Sequence, residues 1–265
     1  MEPVHVGSAS FGSNTLVLIS GPCVVEDPET MRRAAGELSE ICAVAGASLV
    51  FKSSYEKDNR TEAGAHRGPG LEAGLELLAG LKRELGLVLC TDVHRVEDVP
   101  AVAAVADLVQ VPALLCRQTS LLEAVGACGR PVNLKKGQFA GVRVMAGAVD
   151  KVRGAGGRSV LITERGSSFG ERLVCDLPGL AALRALGCPV VIDAGHAANA
   201  PAEIPLLARA GIAAGADAVF IESHPDPGRA RCDGGRMLSL NQLGRLLPSL
   251  VRLFGVAREQ WGDAG

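Results

Sequence analysis

The sequence predicts a closed (β/α)8 barrel in a single domain, and three observations carry that expectation. Short apolar runs recur eight times along the 265 residues, each stopping at chemically capable side chains, as buried strands of a parallel sheet do. Helical patterns lie between the runs, and right-handed crossovers through such helices bring every strand's C-terminal end to one rim. No G-x-G-x-x-G follows the first run, which argues against the doubly wound open sheet, the structural competitor.

The first run, Leu16-Val17-Leu18-Ile19-Ser20, ends at Gly21-Pro22-Cys23. Asp27-Pro28-Glu29 then offers an N-cap, a proline at N1 and a first-turn acid for a helix through about residue 45. The second run, Ser48-Leu49-Val50-Phe51, turns abruptly into the cations Lys52, Lys57 and Arg60, and Arg67-Gly68-Pro69-Gly70 leads to a helical pattern over 71–85. Residues 87–90 lead to Thr91-Asp92-Val93-His94, and 108–109 lead to Gln110 and Arg117-Gln118, with a helix over 121–127. Residues 131–134 lead to Lys135-Lys136-Gly137-Gln138, and 160–163 to Glu164-Arg165-Gly166, with a helix over 180–186. Residues 190–192 lead to Asp193-Ala194-Gly195-His196, 218–221 lead to Glu222-Ser223-His224, and a last helix runs over 239–253. No linker interrupts this grammar; only residues 1–12 and 257–265 are expected to be loosely held.

Composition narrows the partners. Hydrophobic residues make up 48% of the chain but aromatic ones only 3%, and there are 33 glycines, which suits Ala, Leu and Val packing with many tight turns. A formal charge of -2 gives no basic surface for a nucleic acid, and no basic amphipathic tract or apolar run of about 18 residues points to a membrane. The eight cysteines are scattered, without a C-x-x-C pair. A reduced, soluble, unprocessed cytoplasmic chain acting on small ligands is expected.

Two constellations follow from the barrel. Lys52, Lys57, Arg60, Arg117, Lys135 and Arg165 come from the ends of the second, fourth, fifth and sixth strands. Uncompensated cations are costly to bury, so a substrate with several phosphate or carboxylate charges is the economical explanation, although each residue alone could be a surface ion pair. Cys23, His196, Glu222 and Asp233 come from the first, seventh and eighth strands and the loop after the eighth, which adjoin in a closed barrel. A thiolate, an imidazole and two carboxylates suit a divalent ion of the Fe, Mn or Zn class. The alternatives are an inert buried thiol at Cys23 and a His196 that merely bonds Asp193.

The chain resembles the 3-deoxy-D-manno-octulosonate 8-phosphate synthase family from about residue 18 to 250. The motifs are Gly21-Pro22-Cys23, Phe51-Lys52-Ser53-Ser54, Lys57-Asp58-Asn59-Arg60, Gln110-Val111-Pro112-Ala113, Leu115-Cys116-Arg117-Gln118-Thr119, Val132-Asn133-Leu134-Lys135-Lys136-Gly137-Gln138-Phe139, Glu164-Arg165-Gly166-Ser167-Ser168-Phe169-Gly170 and Glu222-Ser223-His224-Pro225, in family order. The resemblance implies condensation of phosphoenolpyruvate with arabinose 5-phosphate, on the way to the inner sugar of lipopolysaccharide. It implies that Lys52, Lys57, Gln110, Lys135 and Arg165 hold phosphoenolpyruvate, with Ser54 and Gln138 also binding substrate, and that Asn59, Arg60 and Thr61 grip the sugar phosphate. Lys57, Lys135, Arg165 and His196 would be catalytic. Arg117 would reach a neighbouring subunit's site in a homotetramer, and Cys23, where the metal-independent branch has Asn, implies the metal-dependent branch.

The chain departs from the family in four places. Residues 197–202 run almost directly into a helix where the family has a glycine-rich loop, Gly195 replaces a threonine, Asp58 an alanine and Glu62 a serine. A shorter lid leaves more room for the acceptor, and Glu62 would repel a phosphate unless turned away. Two rival readings remain. One is 3-deoxy-D-arabino-heptulosonate 7-phosphate synthase, whose Lys-Pro-Arg has Asn59 at its proline here; the other is a barrel that binds sugar phosphates without turnover.

Overall fold

The computed structural model describes residues 2–262. Its eight parallel strands are Val17–Ser20 (β1), Ser48–Lys52 (β2), Leu89–Asp92 (β3), Leu108–Val111 (β4), Val132–Lys135 (β5), Val160–Glu164 (β6), Val190–Asp193 (β7) and Ala218–Phe220 (β8). Each pairs with its neighbours in sequence, and β8 closes onto β1 with Val219 opposite Leu18. The expected barrel is the observed fold. Outside the strands lie Pro28–Ala45 (α1), Leu71–Leu85 (α2), Val99–Val105 (α3), Thr119–Ala127 (α4), Val142–Gly154 (α5), Gly179–Arg184 (α6), Ile204–Ala213 (α7) and Leu240–Gly262 (α8). None of the described helices is long and apolar enough to cross a membrane.

Local chemistry accounts for the elements. Asp27 caps α1 by accepting from the Thr30 N–H at 2.9 Å, Pro28 opens it, and Gly46 ends it in the left-handed conformation at φ 73°. The helix buries Met31, Ala34, Ala35, Leu38 and Cys42, a spacing that makes one apolar stripe. Along the strands, alternate residues face opposite ways. Leu18, Leu89, Val109 and Ile162 pack outward beneath the helices, while Val17, Ile19, Val50, Cys90, Leu161 and Val191 fill the barrel.

Two expectations need correction at the ends. Residues 4–11 are not loosely held: Val4–Val6 and Ala9–Phe11 pair as an antiparallel hairpin. Their alternate side chains Val4, Val6, Ala9 and Phe11 join the barrel-filling cluster, because the N-terminal mouth would otherwise expose that core to water. Nor does order stop at residue 257. Helix α8 continues to Gly262, with Ala257 buried, and Arg258 donates to Asp217 Oδ1 at 3.0 Å and to the Gly12 carbonyl at 2.6 Å. Residues 1 and 263–265 lie outside the described residues.

Candidate active site

The C-terminal strand ends surround a cavity of about 660 Å³, lined by Lys57, Asn59, Arg60, Thr61, Gln110, Lys135, Gln138, Arg165, His196 and Asp233, among others. Ten residues named from the sequence therefore converge on one opening. Lys52 and Ser54 lie beneath it as buried groups that do not line it. Arg117 does not join the cavity of its own chain; it is exposed, because the turn Ala113–Leu115 carries it past the rim.

The floor is a chain of buried polar groups. Asp92, at the end of β3, accepts from Ser54 Oγ at 2.6 Å, from Lys57 Nζ at 3.1 Å and from the Gln110 amide. Gln110 in turn accepts from Asn133, and Asn133 from Thr163, at 2.9 and 2.8 Å, so β3 to β6 are tied across the barrel interior. Lys52 donates to Ser54 Oγ at 2.9 Å and stands 3.7 Å from Asp92 and 3.6 Å from Glu222. Burial opposes charge on Asp92, yet the ammonium groups of Lys52 and Lys57 outweigh it and hold the carboxyl well below its ordinary range. Lys57 is likewise opposed by burial but held above its usual value by Asp92 and other nearby anions.

Asp193, at the end of β7, organises a second group. Its Oδ2 lies 2.7 Å from Lys135 Nζ and 2.9 Å from His196 Nδ1, while its Oδ1 accepts from the His196 N–H at 2.9 Å. Burial is again the first influence on Asp193, and His196 and Lys135 overcome it, leaving the carboxyl far below its ordinary value. With Nδ1 held against Asp193, Nε2 lies on the side facing Glu222, whose Oε2 is 4.0 Å away. That carboxylate–imidazole pairing is how proteins orient metal-binding histidines.

Tight backbone brings Cys23 up to Asp233. A Cβ on Gly21, at φ 151°, would collide with the Lys52 carbonyl, so only glycine lets the chain after β1 lie against β2. Val24 then bridges Ser54 and sets Cys23 at the cavity base. Across from it, Asp233 is the sole non-glycine residue with positive φ among the described residues, at 51°, a conformation that costs free energy and recurs at functional sites. Cys23 Sγ lies 3.4 Å from Asp233 Oδ2 and 3.1 Å from Cys232 Sγ.

Glu222 is the informative member. It is 1% exposed and neither carboxylate oxygen has a hydrogen-bond donor, although Lys52 stands 3.6 Å away and, with His196, helps hold the carboxyl below its ordinary range against burial. His196, Glu222 and Asp233 form one group whose donor atoms lie within 4.8 Å of one another, and Cys23, Cys232 and Asp233 form another. Both could hold a metal ion. Burial, the Cys232 contact and Glu222 push the Cys23 thiol well above its ordinary range, against the opposing pull of Lys57 and Lys52.

The sequence model of the DAHP synthetase I family matches residues 4–256. The chain belongs to this family. Within it, the chain is similar to the 2-dehydro-3-deoxyphosphooctonate aldolase of Azoarcus sp. (strain BH72), at 46% identity over 247 residues, covering 88% of each chain. It is also similar to the protein of that name from Syntrophobacter fumaroxidans, at 43% over 274 residues, covering 99% of this chain and 95% of the other. The namesake from Aromatoleum aromaticum is 46% identical over 250 residues, covering 89% and 90%.

Sequence reasoning passed over some residues of this family member's cavity. Arg236 and Glu171 line its mouth; the first follows Asp233 closely, and the second sits on the hairpin formed by Ser167–Phe169 and Arg172–Val174, whose three-residue strands left no periodic signal. Cys232 was visible only as the neighbour of Asp233. Asp58 and Glu62 differ in consequence. Asp58 pairs with both Arg67 and Arg95, as does Glu56, so an acid in this loop is neutralised by two guanidinium groups. Glu62 lines the cavity.

Proposed function

We propose that the chain condenses phosphoenolpyruvate with arabinose 5-phosphate and water, giving 3-deoxy-D-manno-octulosonate 8-phosphate and inorganic phosphate. The observation that carries this reading is one cavity ringed by Lys57, Arg60, Lys135 and Arg165, in a chain whose relatives share the aldolase name over nearly their full length. Arg165 bears most of the weight. It forms no ion pair among the described residues, its Nε is buried without an acceptor, and burial pulls its pKa down. An anionic substrate group would relieve that cost.

In the reaction, carbon 3 of phosphoenolpyruvate forms a bond to the sugar's aldehyde carbon, and the aldehyde oxygen takes up a proton. Water adds at carbon 2, and the resulting hemiketal expels phosphate as its carbon–oxygen bond breaks. Lys135 and Arg165 hold the donor's phosphate and Lys57 its carboxylate, with Lys52 adding positive charge from beneath the cavity, so the charge shifting toward the leaving group is met by cations fixed in advance. Gln110 and Gln138 complete the donor site, Ser54 ties Lys52 to Asp92 beneath it, and Asn59, Arg60 and Thr61 take the sugar phosphate. His196, fixed through Nδ1 by Asp193, keeps its Nε2 directed at the reaction centre. Cys23, His196, Glu222 and Asp233 would hold a divalent ion of the Fe, Mn or Zn class, which supplies a Lewis acid when bound.

A cytoplasmic homotetramer completes the reading, with Arg117 projecting from one protomer toward a neighbour's cavity. Sedimentation of the wild-type chain and of Arg117→Ala tests this part: a monomer would refute it. The activity is tested by phosphate release from phosphoenolpyruvate with arabinose 5-phosphate or erythrose 4-phosphate as acceptor. Release with the five-carbon sugar and an eight-carbon product by mass supports the proposal; faster release with erythrose 4-phosphate transfers the chain to the heptulosonate branch.

A further inference from the structure

Cys232 has no part in the proposed reaction, yet it sits inside the metal cluster. Its side chain is 2% exposed and its Sγ lies 3.1 Å from Cys23 Sγ. The donor atoms of Cys23, Cys232 and Asp233 are mutually within 4.8 Å, as are those of His196, Glu222 and Asp233. Two triads thus share one carboxylate. We propose that Cys232 is a fifth ligand, giving a second thiolate to the same divalent ion that Cys23, His196, Glu222 and Asp233 hold. This rests on the metal reading above.

Geometry favours one shared ion. Two sulfurs each about 2.3 Å from a metal lie roughly 3.8 Å apart at a tetrahedral angle and roughly 3.3 Å apart at a right angle. The observed 3.1 Å fits adjacent positions of a five-coordinate centre better than a tetrahedral one. Glu222 points to the ion independently of either sulfur, since its two buried oxygens have no hydrogen-bond donor. The backbone at Asp233, at φ 51°, turns consecutive side chains, Cys232 and Asp233, toward the same space.

Charge is accounted for as well. Two thiolates and two carboxylates on a divalent ion leave two negative charges. Lys52 stands 3.6 Å from Glu222, and Arg60 Nη1 reaches Cys232 Sγ at 2.8 Å and Asp233 Oδ1 at 3.2 Å. Guanidinium hydrogen bonds to a ligating sulfur are the outer-shell contacts that tune such centres. Two sulfurs also bias the site toward softer ions, Zn(II) or Fe(II) ahead of Mn(II) or Mg(II).

The test uses the full-length chain, reduced and stripped of metal, then loaded with Co(II) or Zn(II) without air. With Co(II), the sulfur-to-metal charge-transfer absorbance should be about halved in Cys232→Ser and in Cys23→Ser relative to wild type. Metal affinity should fall on the order of 10-fold or more in Cys232→Ser. X-ray absorption of the zinc-loaded wild type, which needs no variant to fold, should resolve two sulfur neighbours at about 2.3 Å. One sulfur neighbour, or full charge-transfer intensity in Cys232→Ser, overturns the inference. A wild type that binds no metal overturns both this inference and the metal reading, whereas a metal-loaded wild type with a single sulfur leaves that reading standing.

Discussion

At the N-terminal end of the barrel two carboxylates are fully paired. Asp217, just before β8, accepts from the Val190 N–H at 2.8 Å and pairs with Arg184 and Arg258 at 2.7 and 3.0 Å. Asp107, just before β4, does the same with the Leu89 N–H at 2.9 Å and Lys82 at 2.7 Å. The hairpin over residues 4–11 seals the apolar layer between them. At the C-terminal end similar charges are left partly unsatisfied: neither oxygen of Glu222 has a hydrogen-bond donor, Arg165 has a buried Nε without an acceptor and no ion pair among the described residues, and Asp233 holds a strained backbone. One fold uses the same residue types for stability at one mouth and leaves them available to ligands at the other, as barrel enzymes do.

The largest expected effect lies at the sealed end. Phe11→Ala would open a cavity in the barrel-filling layer and cost about 3 to 5 kcal/mol, lowering the melting temperature on the order of 10 °C. Phosphate release by the fraction still folded should be unchanged, and loss of turnover without loss of stability would break the division between the two ends. At the open end, Lys135→Ala should slow phosphate release by roughly 100- to 1000-fold, about 2.7 to 4 kcal/mol in barrier. Near-normal turnover by this variant would remove it from the donor site.

The barrel was legible because buried parallel strands write themselves as continuous apolar runs, and because their polar stops fall on one rim whatever the helices do. The rim positions of Lys57, Lys135, Arg165 and His196 followed from that topology, and Asp233 from the loop after the eighth strand. What the sequence concealed depends on tertiary contact. The hairpin over residues 4–11 is only three residues per strand, too short for a periodic signal, and it is ordered by the barrel mouth it fills. Arg117 shared a motif with site residues but is carried outward by a turn. Cys232 reads as one scattered cysteine among eight until folding brings it against Cys23.

Smaller effects sharpen the same contrast. Asp217→Asn should cost about 2 to 3 kcal/mol by unfolding in urea, less than a fully buried pair because both arginine partners keep some exposure; activity should survive. Asp92 is ionised in the fold well below its ordinary value, so the stability it contributes is complete above about pH 3.9, the unfolded value, and is lost as pH falls toward the folded one. Asp92→Asn should flatten the acid limb of the stability profile, and an unchanged limb would mean that the Lys52 and Lys57 pairing adds nothing to the fold.

Thermal melting of wild type and Arg165→Ala, each with and without phosphoenolpyruvate, tests the contrast most directly. Arg165 is a half-buried cation with no ion pair among the described residues. Its removal should therefore leave the melting temperature of the ligand-free chain unchanged or raise it. Phosphoenolpyruvate at about 100 times its dissociation constant should stabilise the wild type by about 2.7 kcal/mol and the variant much less. If Arg165→Ala melts lower than wild type without ligand, and phosphoenolpyruvate shifts both equally, the open rim is structural and the account is wrong.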